Sequence, residues 1–374
     1  MKRYLLFIFL TVFFSTASAD WLNRGYLKYG FSFLDMPFDS PTSGLEDQQI
    51  YQRFGGRLMT EKSWSSITVA AHYDIQYIFA LQDSLDSSLD ADPGNLFDLT
   101  AIPVDQANQQ LVHRFDRLYA HYRGKNISIK AGRQALTWGH GMMFQVMDIF
   151  NPFSPVALDT DYKNGNDMLY GEWLTSRGDD VQVLYVPRNN AEGDLAIDSS
   201  AFATKFHGLL FETDFDILIA RNNNIELAAI GLARPIRQSM WRLDVLTNYL
   251  AEGELGYSFV TNLDYSWVWL NHNVYGFVEY MYDSEGQRIQ GGLPLLKHHY
   301  AATSLRIELH PLVNFSPSII SSLEDNSGLF YLTVYYDWMQ DLNASLGAII
   351  PYGEKNASFS QAGKSFQFLI SAYF

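Results

Sequence analysis

The sequence predicts an all-β fold: a transmembrane, antiparallel, up-and-down β-barrel of about 18 strands, with 16 as the alternative count, and an inward-folded third long loop. Three observations predict it. Residues 255–269, LGYSFVTNLDYSWVW, alternate Leu255, Tyr257, Phe259, Leu263, Tyr265, Trp267 and Trp269 with small or polar neighbours, as a strand between lipid and an aqueous lumen must. Aromatic residues make up 15% of the chain while mean hydropathy is only −0.10, and past the first 19 positions no run approaches the ~18 apolar residues of a spanning helix. Long and short connections also alternate along the chain.

Taken in order, Met1-Lys2-Arg3, the apolar run Leu5 to Phe14 and the small residues Ala17-Ser18-Ala19 read as a signal peptide of residues 1–19, removed before the barrel, 20–374. Export permits disulfides, yet there is no cysteine, which excludes thiol-ligated metals and cysteine nucleophiles.

Alternation then places strands near 22–34, 48–61, 65–82, 111–123, 126–137, 163–175, 180–188, 201–213, 215–221, 225–234, 240–250, 255–269, 274–283, 299–309, 314–323, 328–338, 341–350 and 364–374. Every long connection follows an odd-numbered strand: 36–47, 83–110, 138–162, 189–200, 284–298 and 351–363. Short turns such as GKN, SRGDD and NHN follow even-numbered ones. A soluble sandwich gives no reason for this parity, whereas outer-membrane barrels have a short-turn end and a long-loop end.

The third long connection is unlike the others. Strand five loses alternation at Trp138-Gly139-His140-Gly141, and Met142, Met143, Phe144, Val146, Met147, Ile149, Phe150 and Phe153 follow. So apolar a loop needs a surface to bury against, so it is expected to fold inward. Gly139 and Gly141 would free the backbone at its entry, and Asn151-Pro152 would end any short helix within it. Arg133, Gln134, Trp138, Asp148, Asn151 and Pro152 are candidates to anchor or line it. Plain alternation puts Lys130 and Arg133 on opposite faces, so Gly132 is expected to mark a bulge that keeps both from lipid.

The same phase reading marks Arg242, Asp244, Asp264, Glu279, Arg306 and Glu308 as lumen-lining, either paired or forming a solvated wall with a transverse field. Arg114, Arg117, His121 and Arg123 form a basic cluster on strand four. The net charge of −15 argues against nucleic acid as a partner.

The closing strand SFQFLISAYF carries Phe366, Phe368, Ile370 and Phe374 on one face. Its alternate aromatic residues and final Phe resemble the C-terminal signature of Gram-negative outer-membrane proteins, which implies recognition by the barrel-insertion machinery. The block GRQALTWGHG, DIFNPFSP and GNDML within 129–173 resembles that of a broad, poorly characterised group of porin-like outer-membrane proteins. This resemblance implies a cell outer-membrane location, contact with outer-membrane lipid and lipopolysaccharide, and a constricting loop after strand five. No Gly-x-Ser-x-Gly or His-Glu-x-x-His motif is present, and the nine histidines form no readable catalytic pattern.

The expectation is therefore a passive channel for small polar solutes or ions, with no catalytic residues, metal or cofactor. The alternatives are a plugged barrel for surface binding or polysaccharide assembly, and, less favoured, an outer-membrane hydrolase. Porins often assemble as homo-oligomers, but nothing in the chain reads as an oligomer contact.

Overall fold

The computed structural model describes residues 21–36, 48–83, 85, 94–249, 255–360 and 362–374. The expected signal peptide lies outside them, as do 37–47 of the first long connection and 86–93 of the second. All regular structure in the described residues is strand.

The chain runs β1 (Trp21–Asp35), β2 (Gln48–Trp64), β3 (Ile67–Ala80), β4 (Thr100–Gln106), β5 (Gln109–Arg123), β6 (Ile127–Gln134) and β7 (Asn166–Leu174). It continues through β8 (Asp180–Val186), β9 (Ala201–Leu210), β10 (Thr213–Asn222), β11 (Ile225–Ile236), β12 (Ser239–Tyr249), β13 (Leu255–Trp269) and β14 (His272–Asp283). Last come β15 (Arg288–Gln290), β16 (Leu293–Leu295), β17 (His299–His310), β18 (Val313–Ser322), β19 (Ser327–Met339), β20 (Leu342–Tyr352) and β21 (Lys364–Tyr373).

Neighbours pair antiparallel, β3 pairs β5, β14 pairs β17, and β1 pairs β21 from Tyr26↔Tyr373 to Asp35↔Lys364. Leaving aside β4, β15 and β16, this is a closed barrel of 18 strands. Closure leaves no sheet edge, so every strand meets the backbone hydrogen-bond demand of a bilayer. β4 and the β15–β16 hairpin lie inside two of the long connections and were not expected as strands; β15 and β16 are too short to show a period, and Pro103 interrupts β4.

Outward side chains are exposed, among them Ile219 at 67%, Val278 at 58% and Leu263 at 41%, while their inward neighbours Leu218, Glu279 and Asn262 are buried. Trp21, Trp64, Trp173, Trp269 and Trp338 are all exposed, and each stands at the short-turn end of its strand. Such a ring of indoles suits a membrane interface. At the two-residue turns Phe211-Glu212, Asn223-Asn224 and Leu270-Asn271 both φ angles are positive, the tight hairpin geometry whose twist matches the strands it joins.

Two expectations are corrected. β6 ends at Gln134 and β7 starts at Asn166, so the strands about the inserted loop are shorter than their apolar flanks suggested. Gly132 has φ +120° but no bulge, and pairing runs unbroken from Gly132↔Met168 to Gln134↔Asn166. The irregularity falls in β5 instead, where Phe115 and Arg117 pair with consecutive residues of β3 and Asp116 is the extra residue.

Candidate functional site

The connection 135–165 between β6 and β7 lies inside the barrel without a helix. There is no short helix for Asn151-Pro152 to end; Asn151 donates to the Asn164 carbonyl at 3.1 Å and holds the loop's two limbs together. Phe144, Val146 and Met147 are at most 1% exposed, packed with Leu184, Leu218, Ala229, Leu246, Met281 and Tyr300 of the inner wall. Each such side chain contributes about 1.5–3 kcal/mol to docking. The inner wall from β8 to β14 is thus partly apolar, which whole-strand alternation concealed.

Carboxylates of the same wall fix the loop's backbone. Asp244 on β12 accepts from the His140 and Gly141 backbone N–H groups at 2.6 and 3.2 Å, and faces the His140 Nδ1 at 2.8 Å. Glu279 on β14 accepts from the backbone N–H of Met142, Met143 and Phe144 at 2.6, 2.8 and 2.7 Å, and from Asn262. Gln290 accepts from the Gln145 N–H and donates to the Met143 carbonyl. Charge-assisted bonds of this kind are about twice as strong as neutral ones. The solvated-wall reading is corrected here: Asp244 and Glu279 face inward but are 1% and 3% exposed beneath the loop.

Of the predicted anchors, Trp138 donates its indole N–H to Gln182 on β8 at 2.8 Å and meets the Phe150 ring edge-on. Gly139 has φ +98°, and a Cβ there would stand 2.9 Å from both the Asp244 carboxylate and the Met147 side chain. A Cβ at Gly141 would collide with the Phe144 carbonyl. Asp148 pairs with Lys163, which also donates to the Leu136 carbonyl. Burial is the larger influence on Asp148 and holds its carboxyl above the usual range despite that ammonium. Pro152 is half-buried in the returning limb.

The described hydrogen bonds of Arg133 and Gln134 run to β7 and to the second long connection rather than to the inserted loop. Arg133 makes a bidentate pair with Asp167 of β7 at 2.9 and 2.8 Å and donates to the Phe97 carbonyl of the preceding long connection. Gln134 reaches the Met168 carbonyl.

The returning limb crosses to the opposite wall. Asp159 and Asp161 receive Lys28 of β1 at 2.8 and 2.6 Å, and Asp161 also accepts from Tyr373 of β21 at 2.8 Å. Tyr162 lies 4.2 Å beneath the Arg57 guanidinium. Arg117 donates to the Lys163 carbonyl, and Gly165 donates to Asp116. Burial opposes ionisation of Asp161, but the bonds from Lys28 and Tyr373 hold its carboxyl below the ordinary value.

Charge accessible to the lumen is uneven. Arg57 is buried with Asp74 and Asp116, and Arg117 with Asp116. Arg242 reaches Asp264, which also accepts from Tyr275. By register Arg24, Arg53, Arg123 and Arg306 face inward too, yet remain exposed. A recess of about 360 Å³ near the short-turn end is lined by Ser266, Tyr275, Arg306, Glu308 and Asn314, and Glu308 accepts from Asn273. Exposed charges on an inner face require water-filled space beside them. The basic cluster of β5 was legible in the sequence, whereas Lys28, His140, Asp159, Asp161, Lys163 and Gln182 were not singled out. Only contact across the lumen distinguishes them.

No family model matches the chain, and no curated protein matches it. Among solved structures the barrel is similar to OccAB4 of Acinetobacter baumannii, with a TM-score of 0.60 at 10% identity over 94% of this chain and 98% of that one. It is similar to a BenF-like porin from Pseudomonas fluorescens Pf-5, at 0.59 and 10% over 95% and 98%. It is also similar to the outer membrane protein OpdK from Pseudomonas aeruginosa, at 0.57 and 10% over 94% and 99%; OpdK has also been solved with vanillate. At such identities the likeness establishes the fold: a closed, 18-stranded antiparallel barrel of the kind these porins have.

Proposed function

We propose that the chain is an outer-membrane channel through which small solutes diffuse passively, narrowed by the loop 135–165. One observation carries this reading: the entry half of the loop is docked against the wall by Asp244 and Glu279 and its returning limb crosses to Lys28 and Tyr373, while inward-facing arginines elsewhere on the wall stay exposed. A narrowed passage fits both facts better than a filled barrel does.

The accessible inner charge favours anions. Asp74, Asp116, Asp244, Asp264 and Glu279 are buried and partnered, whereas Arg53, Arg123 and Arg306 remain exposed, as does Arg24 on its pair with Glu61. Cations on the wall of a narrow pore raise the local concentration of anionic solutes. That OpdK was solved with vanillate supports asking about small carboxylates first. The long loops would face outside and the short turns the periplasm, with residues 1–19 as the export signal and outer-membrane lipid around the indole ring.

Single-channel recording of the folded protein in a planar bilayer tests this. Conductance that increases when 142–150 is deleted supports a pore constricted by the loop. Silence from both proteins replaces it with a plugged barrel for binding or assembly, a reading favoured only by the apolar packing around Phe144, Met147 and Phe359.

A further inference from the structure

We propose that His140 is a proton-dependent positioning residue of the inserted loop: with a proton bound it latches residues 138–141 to the β10–β12 wall, and without one it holds them less tightly, so that the width of the path follows pH. This rests on the channel reading above and adds to it a control by pH.

The seat for this imidazole is complete. On β12 the Asp244 carboxylate lies 2.8 Å from Nδ1, and on β10 Asp216 lies 3.8 Å from Nε2, so the ring spans two carboxylates. β11 contributes the space: the ring lies against Gly231, where a Cβ would approach it to 2.9 Å. From β13, Asn262 donates to the His140 carbonyl at 3.1 Å. The other charged groups nearby are Lys205 and His207 of β9, both on Asp216 at 3.1 and 3.0 Å, Glu279 of β14, held by the next three loop residues, and Arg242 of β12, turned to Asp264. Lys205 offsets part of the Asp216 charge, while Asp244 has no cationic side-chain partner but this histidine among the described residues.

A neutral imidazole can donate to Asp244 but carries no charge, whereas the imidazolium keeps that bond and adds a positive charge that attracts Asp216 at 3.8 Å as well. The bond to Asp244 is the largest influence on the ring; it outweighs burial and raises the histidine above its ordinary value. Linkage makes this reciprocal: if docking raises the affinity for a proton, the proton strengthens docking, tenfold for each unit of the shift. The latch is complete below the undocked value of about 6.5 and is lost as pH rises through the raised one. The grip of Glu279 on 142–144 does not depend on this proton. Loss of the proton therefore loosens the entry segment from Trp138 to Gly141, which keeps its backbone bonds to Asp244, rather than the whole loop.

The test is single-channel recording in potassium chloride between about pH 5.5 and 8.5, a window bracketing the histidine range. In the unaltered protein, dwell times in the wide, latched state are expected to lengthen severalfold as pH falls. Two variants should flatten that profile: His140→Gln, which cannot titrate, and Gly231→Val, which removes the seat but no charge. Asp216→Asn should move the midpoint to lower pH, a displacement that a purely structural histidine would not give. The same profile in His140→Gln as in the unaltered protein overturns the proposal.

Absence of any conductance would count against the channel reading alone. A second measurement then decides: the chain has no cysteine, so spin labels at Thr137→Cys, exposed beside the entry segment, and Arg53→Cys report the distance from that segment to the opposite wall. Shortening of that distance as pH rises supports the latch, and a pH-independent distance overturns it.

Discussion

Arg133, expected at the inserted loop, bonds Asp167 of β7 and the Phe97 carbonyl. Its guanidinium and the Asp167 carboxylate are 2% and 3% exposed, so Arg133→Ala would leave a buried carboxylate uncompensated, at a cost of about 3–5 kcal/mol. We expect a lower unfolding temperature in detergent, with the inserted loop still docked; channel noise changing without loss of stability would contradict this assignment. Glu279 is the reverse case. Glu279→Gln keeps the shape but replaces an acceptor of three loop N–H groups with a weaker one. The barrel should stay folded while residues 142–144 become susceptible to protease, and unchanged protection would show that the apolar contacts suffice.

Among elements, the joint between β1 and β21 depends on both ends of the barrel. Gly25 and Phe374 exchange backbone hydrogen bonds at 2.8 and 3.0 Å, and a Cβ on Gly25 would come within 2.6 Å of the Phe374 ring. Gly25→Val should therefore reproduce the assembly defect expected on deleting Phe374, seen as less of the heat-modifiable folded form. The inserted loop spans the same joint, because Asp161 receives Lys28 from β1 and Tyr373 from β21. Its carboxyl is held below the ordinary value, so its contribution is complete above the unfolded value near 3.9 and disappears as pH falls through the lowered one. The unfolding temperature should fall on that acid limb in the unaltered protein, and Asp161→Asn should remove the difference between the limb and neutral pH.

At the scale of the whole molecule, a net charge of −15 coexists with an inner surface whose exposed charges include Arg24, Arg53, Arg123 and Arg306. The lumen, rather than the total, governs passage, because a nearby charge acts over about 8–10 Å at working salt. Under a salt gradient the reversal potential should have the sign of anion preference, and Arg53→Glu with Arg306→Glu should reduce or invert it. Cation preference in the unaltered protein would refute this reading of the lumen.

The barrel was legible in the sequence because lipid imposes a simple rule. Each strand must alternate, each connection takes its length from the end it serves, and both regularities survive in the one-dimensional order of residues such as those of 255–269. The inward fold of 135–165 was legible as well, since Met143, Phe144 and Met147 required burial. What received that loop was not legible. Asp244, Glu279 and Gln182 look like ordinary lumen residues on their own strands, and Lys28 lies more than 130 positions from Asp159 and Asp161. Their roles arise where the closed barrel brings its walls close enough for one loop to touch both. Alternation is a local property that the chain carries along its length, whereas pairing across a lumen exists only once the sheet has closed.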